Sequence, residues 1–289
     1  MPIQATRTIH RRLGIIFDFD DTLAPDSLRS LLASYGLDKE RFEQEQLAPL
    51  LADGWDEILA KMYCLVQLSQ QHPDDPITRE RLRAVGRDST FFDGVPAIFG
   101  RLRECAAAIV PDIEVCFYLL SSGFVEIIRG TPITDEFTAI WGCSFHHDEQ
   151  GRISFPKELI THAEKVRYVL QVVKGVSDQS TAGQPTHVYR EVPDEKLNIP
   201  LSQIIYVGDG ASDLPVFGLL NGSGAVSIAI YKGDSPEEWR REQRLDSGQR
   251  VDNLARPDYD PDSELMRSLT LAVESICKRV ALAALSAGE

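Results

Sequence analysis

The chain has 289 residues, 43% hydrophobic and 26% charged, which are the proportions of an ordinary globular protein with room for one large α/β domain and a smaller insert. Its formal net charge of −14 sets most of the surface against nucleic-acid phosphates and anionic membranes, so neither is an expected partner. Any phosphate that the protein handles must then be met locally, by a metal, a lysine or backbone amides.

The first predicted element is "LGIIFDFD", an apolar run rich in β-branched and aromatic residues, read as a buried parallel strand ending near Asp18. Residues 26 to 90 then read as helical almost throughout. "SLRSLLASYG" ends on a glycine, and "DKERFEQEQLAPLLADG" and "WDEILAKMYCLVQLSQQ" carry apolar residues at three- and four-residue spacing. "HPDDP" is a break, and "ITRERLRAVGR" resumes the helix. Without a candidate strand, the stretch reads as a helical insert. Trp55, Met62 and Tyr63 are expected in its core. Its Arg79, Arg81, Arg83 and Arg87 form either a solvated basic face or contacts to a substrate's distal acid group.

The α/β pattern returns with the helix "FFDGVPAIFGRLREC" and the strand "IEVCFYLL", after which "SSGFVEIIRG" is expected to start a helix. "FTAIWGCSF" is a third strand, "HDEQGRISF" a turn with a short extra strand, and "HAEKVRYVLQVV" a helix. His146 and His147 adjoin that turn and read as surface residues. Residues 174 to 200 have little pattern and read as a surface excursion rather than a lid. "QIIYVGD" and "GAVSIAIYKG" are further strands. "PDSELMRSLTLAVESICKRVALAAL" is a long amphipathic helix, and the C-terminal portion, about 231 to 289, is expected to complete the sheet edge and pack that helix, or to form part of a dimer contact. Strands alternating with helices predict an α/β fold: a doubly wound, Rossmann-like parallel sheet, residues 1–23 and 93–289, with a helical cap, residues 24–92, inserted after the first strand.

Cys64, Cys105, Cys116, Cys143 and Cys277 show no CxxC spacing, which argues against a zinc site, and all but Cys143 read as buried thiols in a reducing compartment. The basic N-terminus lacks a long apolar core, and no stretch approaches the roughly 20 apolar residues of a membrane helix. A cytoplasmic protein is expected.

The chemistry concentrates at strand ends. Asp18, Asp20 and Asp21 crowd the carboxyl end of the first strand, where open α/β sheets place their ligands. Ser121, Ser122 and Gly123 end the second, offering hydroxyls and backbone N–H groups to an anion. Asp209 ends the "IIYVGD" strand, with Asp213 four residues later. Lys165 near a helix start could deliver an ammonium to the same rim, with Lys157 as its competitor. Asp21 reads as a turn cap and Thr22 as hydrogen-bonded within its motif.

"DFDDTL" resembles the DxDx[TV] nucleophile motif of the haloacid dehalogenase-like (HAD) hydrolase superfamily. "YLLSSG" resembles its second motif, Lys165 its third, and "GDGASD" its fourth. All four occur in the family's order. The "SSGF" wording and the helical insert are similar to the phosphoserine-phosphatase-like branch. The resemblance implies a Mg²⁺-dependent phosphatase acting on a small phosphorylated metabolite, with a phosphomutase or a non-catalytic binding module as alternatives. It makes Asp18 the nucleophile, Asp20 the general acid/base and Lys165 the residue that neutralises phosphate charge. It assigns Ser121, Ser122 and Gly123 to phosphoryl oxygens. Mg²⁺ would be held by Asp18, the Asp20 carbonyl and Asp209, with Asp213 as an outer or additional ligand. An aspartate at position 20 is what the resemblance links to phosphatases and phosphomutases, as opposed to dehalogenases.

Overall fold

The computed structural model describes residues 9–176, 185–232 and 251–287. Their sheet has seven strands in the order β4-β3-β2-β1-β5-β6-β7. These are β1 Arg12–Phe17, β2 Glu114–Phe124, β3 Phe137–His147, β4 Ile153–Glu158, β5 Ile204–Gly208, β6 Val226–Ile230 and β7 Asn253–Ala255. Every neighbouring pair is parallel except β3 with β4. From β1 the chain moves outward through β2 and β3, then returns to β5 on the other side of β1. The crossovers thus diverge between β1 and β5, the point at which open α/β sheets form a ligand crevice.

The two-residue period of β1 decides what faces where. Leu13, Ile15 and Phe17 join one core layer with α6 (Val95–Ala107) and the C-terminal helix α10 (Glu264–Ala287). Ile16, with Tyr118, Leu120 and Tyr206 of the neighbouring strands, joins the opposite layer with α8 (His162–Lys174) and α9 (Leu214–Leu220). Asp18 continues the even-numbered register, so it emerges on the α8 face.

Residues 27 to 87 contain helices α1 (Ser27–Ala33), α2 (Lys39–Phe42), α3 (Ala48–Ala52), α4 (Glu57–Gln71) and α5 (Arg79–Arg87), as the apolar spacing predicts. The stretch read as one helix from Asp38 is divided by a π-helical turn at Glu43–Leu47. Met62 is fully buried, but Tyr63 is exposed and stacks at a tilt on the half-buried Trp55, so these two rings are not core. Cys105 is likewise only half-buried.

One further expectation needs correction. "SSG" does not start a helix: β2 runs through it to Phe124, with a register shift against β3 between Leu120 and Phe124, and α7 (Val125–Ile128) is a single turn. The C-terminal portion does complete the sheet edge, through β7, which is three residues long; beside it Asp252 accepts hydrogen bonds from Ser227 N–H and Oγ. In the 174–200 segment, residues 177–184 lie outside the described residues. The rest follows α8, with Val188 buried and Asn198 and Ile199 N–H groups donating to Val173 O. Asn198 also accepts from Arg12 at the amino end of β1, away from the strand ends that carry Asp18 and Asp209. No helix among the described residues is long and apolar enough to cross a membrane.

The two ends of the helical stretch are held together. Phe92 N–H donates to Leu23 O at 3.0 Å. Tyr259, from the C-terminal segment, donates its N–H to Asp93 O and its buried hydroxyl to Thr22 O at 2.9 Å. Tyr259→Phe deprives a buried carbonyl of its donor and should cost about 1–2 kcal/mol in urea unfolding.

Candidate active site

Asp18 is the first residue past β1, and its N–H still pairs with Val207 O of β5 at 2.9 Å. One carboxylate oxygen, Oδ1, accepts from Phe19 N–H at 2.8 Å; the other, Oδ2, lies 3.2 Å from Lys165 Nζ. Lys165 comes from the first turn of α8 and is fully buried. Its ammonium also donates to Asp213 Oδ1 at 2.7 Å and to Ser212 Oγ at 3.0 Å. Burial pulls its pKa down, but the charges of Asp18 and Asp213 outweigh that and leave it raised. Lys157, by contrast, is exposed on β4, so of the two lysines it is Lys165 that meets Asp18 and Asp213.

Asp213 has no exposed surface. Besides Lys165, it accepts from the Tyr206 hydroxyl at 2.5 Å and from Gly210 N–H at 3.2 Å. Both its oxygens are thus engaged by protein donors. Gly208 makes the fold-back possible: a Cβ there would lie 2.4 Å from Asp213 Oδ2. Asp18, Asp209 and Asp213 each place one carboxylate oxygen within 4.8 Å of the others. Burial pushes Asp209 up to about 7, reinforced by Asp213 and opposed by Lys232. Burial likewise raises Asp18 well above the usual carboxylate range, against the pull of Lys165.

Asp20 lies two residues beyond Asp18. Its Oδ1 accepts from Ser27 N–H at 2.7 Å, the first residue of α1. Burial raises its pKa to about 6, against that hydrogen bond. The end of β2 closes on it: a Cβ at Gly123 would lie 2.2 Å from Asp20 Oδ2. Gly123 N–H is not open to an anion, because Ser121 Oγ accepts from it at 2.9 Å. That bond leaves the buried Ser121 hydroxyl hydrogen as the donor. The buried Ser122 Oγ has no protein partner.

The structure therefore brings Asp18, Lys165, Asp209 and Asp213 together and sets Asp20, Ser121 and Gly123 beside one another. Thr22 is hydrogen-bonded within its motif through its N–H, which donates to Phe19 O at 3.2 Å, while its Oγ1 is buried without a partner. The four insert arginines are paired within the protein: Arg79 and Arg83 with Glu126, Arg81 with Asp75, Arg87 with Glu80. His146 is exposed, and the half-buried His147 places Nδ1 3.3 Å from Arg79. Sequence reasoning missed Lys232, which ion-pairs with Asp21 and lies 3.2 Å from Asp209 Oδ2. It follows the strand "AVSIAI" by two residues, so the strand-end rule that found Asp18 and Asp209 applied to it too. Tyr206 was also missed, since nothing local marks a strand tyrosine as a carboxylate's partner.

Asp213→Ala leaves the Lys165 ammonium buried with half its compensation. A loss of about 3–5 kcal/mol is expected in chemical denaturation at pH 7.

No family model matches the chain. An uncharacterised protein of Borreliella burgdorferi is 25% identical over 293 residues, covering 93% of this chain and 98% of that protein. Among solved structures, a HAD family hydrolase from Salmonella enterica serovar Typhi superposes with a TM-score of 0.56 at 15% identity, covering 86% of this chain and 68% of that one. A phosphoserine phosphatase, solved as a phospho-aspartyl intermediate analogue, gives 0.53 at 13% identity, with 90% and 98% covered. The chain has the fold of the haloacid dehalogenase-like hydrolases, and it carries residues matching their four motifs at the carboxyl ends of its central strands and on the helix α8 beside them.

Proposed function

We propose that the protein is a Mg²⁺-dependent phosphatase that hydrolyses a small phosphate monoester through an aspartyl-phosphate on Asp18. The observation that carries this reading is the convergence of the Asp18, Asp209 and Asp213 carboxylates beside the buried Lys165. The donor set suits Mg²⁺: hard carboxylate oxygens, close together, at positions where burial and mutual repulsion disfavour the unneutralised charges. Asp18, Asp209 and the Asp20 main-chain carbonyl would hold the ion, with Asp213 acting on them through Lys165. When bound, it would offset the negative charge of the phosphoryl oxygens.

The protein's own groups divide the work. Phe19 N–H and Lys165 hold the two oxygens of Asp18 and so aim its attack on phosphorus. As the new Asp18–phosphorus bond forms, the bond to the leaving oxygen breaks, and that oxygen takes the Asp20 proton. Water then attacks the aspartyl-phosphate, gives a proton back to Asp20, and frees phosphate and the Asp18 carboxylate. Ser121 and Ser122 hydroxyls steady the phosphoryl oxygens. Residues 24–92 act as a helical cap. Their first helix already donates Ser27 N–H to Asp20, and their two ends meet at Leu23 and Phe92. A cap over the crevice restricts the substrate to a small metabolite and excludes water.

Purified protein should release phosphate from p-nitrophenyl phosphate with Mg²⁺, lose the activity in EDTA, and fall to background in Asp18→Asn. Failure to release phosphate from a broad panel of phosphate esters with Mg²⁺ present overturns the reading. Asp20→Asn should slow turnover by about 10²–10⁴-fold on an alkyl phosphate and less on the nitrophenyl ester, whose leaving group needs no acid. The acid form of Asp20 is about half populated near pH 6 and declines above it. The alkyl-to-nitrophenyl ratio of kcat/KM should therefore fall as pH rises through about 6 to 7.

A further inference from the structure

Lys232 sits two residues beyond β6, on the strand next to the one that ends at Asp209. Its ammonium ion-pairs with Asp21 and lies 3.2 Å from Asp209 Oδ2, while its side chain is 48% exposed. Asp21 has a φ of 58°, the one positive value outside glycine among the described residues. For an L-residue that conformation costs roughly 1–2 kcal/mol, least for Asp and Asn. The turn is thus held in a disfavoured shape at the place where Asp21 meets Lys232. Lys165 is committed elsewhere, to Asp18 and Asp213, so the two lysines divide the carboxylates between them.

We propose that Lys232 is a built-in counterion for the divalent site, holding Asp209 when no metal is bound and competing with Mg²⁺ for that carboxylate. The inference rests on the metal-dependent reading given above. A divalent ion that engages Asp209 must displace the ammonium or accept its repulsion at close range. The long, partly exposed lysine stem lets the ammonium withdraw while Asp21 keeps it at the rim. Lys232 is therefore a positioning residue that lowers Mg²⁺ affinity and stabilises the metal-free protein, a combination that an ordinary surface ion pair does not produce.

Isothermal calorimetry of Mg²⁺ binding to the full chain tests this at pH 8, without substrate, on wild type, Lys232→Met and Lys232→Arg. The Met variant should bind Mg²⁺ about 5–10-fold more tightly, about 1 kcal/mol. The Arg variant, which keeps the charge, should stay within about twofold of wild type. Raising salt from about 0.05 to 0.5 M should shrink the Met effect. Without metal, Lys232→Met should melt below wild type, and saturating Mg²⁺ should raise its melting temperature by more. Lys232→Gln repeats the measurement should the Met variant not fold. Equal or weaker Mg²⁺ binding by the neutral variants, with normal binding by wild type, overturns the counterion role and leaves the metal site standing. Absence of Mg²⁺ binding by wild type overturns the metal site and the counterion with it.

Discussion

The contact on which the rest of the molecule depends is the buried ammonium of Lys165 between Asp18 and Asp213, at 3.2 Å and 2.7 Å. Carboxylate oxygens about as close as those of Asp18, Asp209 and Asp213 repel by roughly 3–4 kcal/mol per pair at an effective dielectric of about 20. On the same scale each contact of Lys165 attracts by roughly 5–6 kcal/mol. Lys165 thus outweighs the repulsion between its own two partners but leaves Asp209 in excess. Burial first and the Asp213 charge second hold Asp209 near 7, and a second cation, Lys232, meets it at the rim. Tyr206 and Gly210 N–H complete the support from below, fixing Asp213 so that it holds the ammonium in place.

Much of this was legible because the signals are local. A run of apolar residues ending in aspartates needs no distant partner to read as a buried strand with a loaded end. "GDGASD" shows its purpose in its glycines, and Gly208 does lie where a Cβ would strike Asp213. Lys165 was legible by placement near the start of a helix that precedes the "GDG" strand. Illegible were the residues whose partners lie far along the chain: Lys232 with Asp21, and Tyr259 with Thr22. The "SSG" misreading has a different cause. Ser-Ser-Gly is poor strand sequence and good helix-capping sequence, yet pairing with β3 carries the strand through to Phe124 opposite Cys143. Tertiary pairing overrode local preference.

The arginines of α5 show the same limit. Sequence gives a basic helix face but not what it meets, which is Glu126, a largely buried carboxylate in the turn after the second motif. Arg83 approaches it at 2.8 Å, Arg79 at 3.8 Å and Arg129 at 3.6 Å. Breaking such a contact strands a buried charge, which costs several kcal/mol. One end of the helical stretch is therefore fastened to the core through Glu126. The other end begins with the N–H that holds Asp20. The stretch is coupled at both ends to residues adjoining the motifs, the second end to Asp20 directly.

This coupling bears on how an anion reaches Asp18. The chain carries −14 overall, and the crevice gathers Asp18, Asp20, Asp21, Asp209 and Asp213 against Lys165 and Lys232. Asp20, with a pKa raised to about 6, can shed part of that charge by protonation, and Lys165 is occupied by two carboxylates. Neither provides a free positive charge for an incoming phosphate dianion. On the phosphatase reading, the electrostatic order follows: the carboxylate excess must be offset before the substrate arrives, because the phosphate would otherwise enter a field of its own sign. A site built with fewer carboxylates would admit phosphate more readily but would lack the nucleophile, the acid or the means to hold a divalent ion.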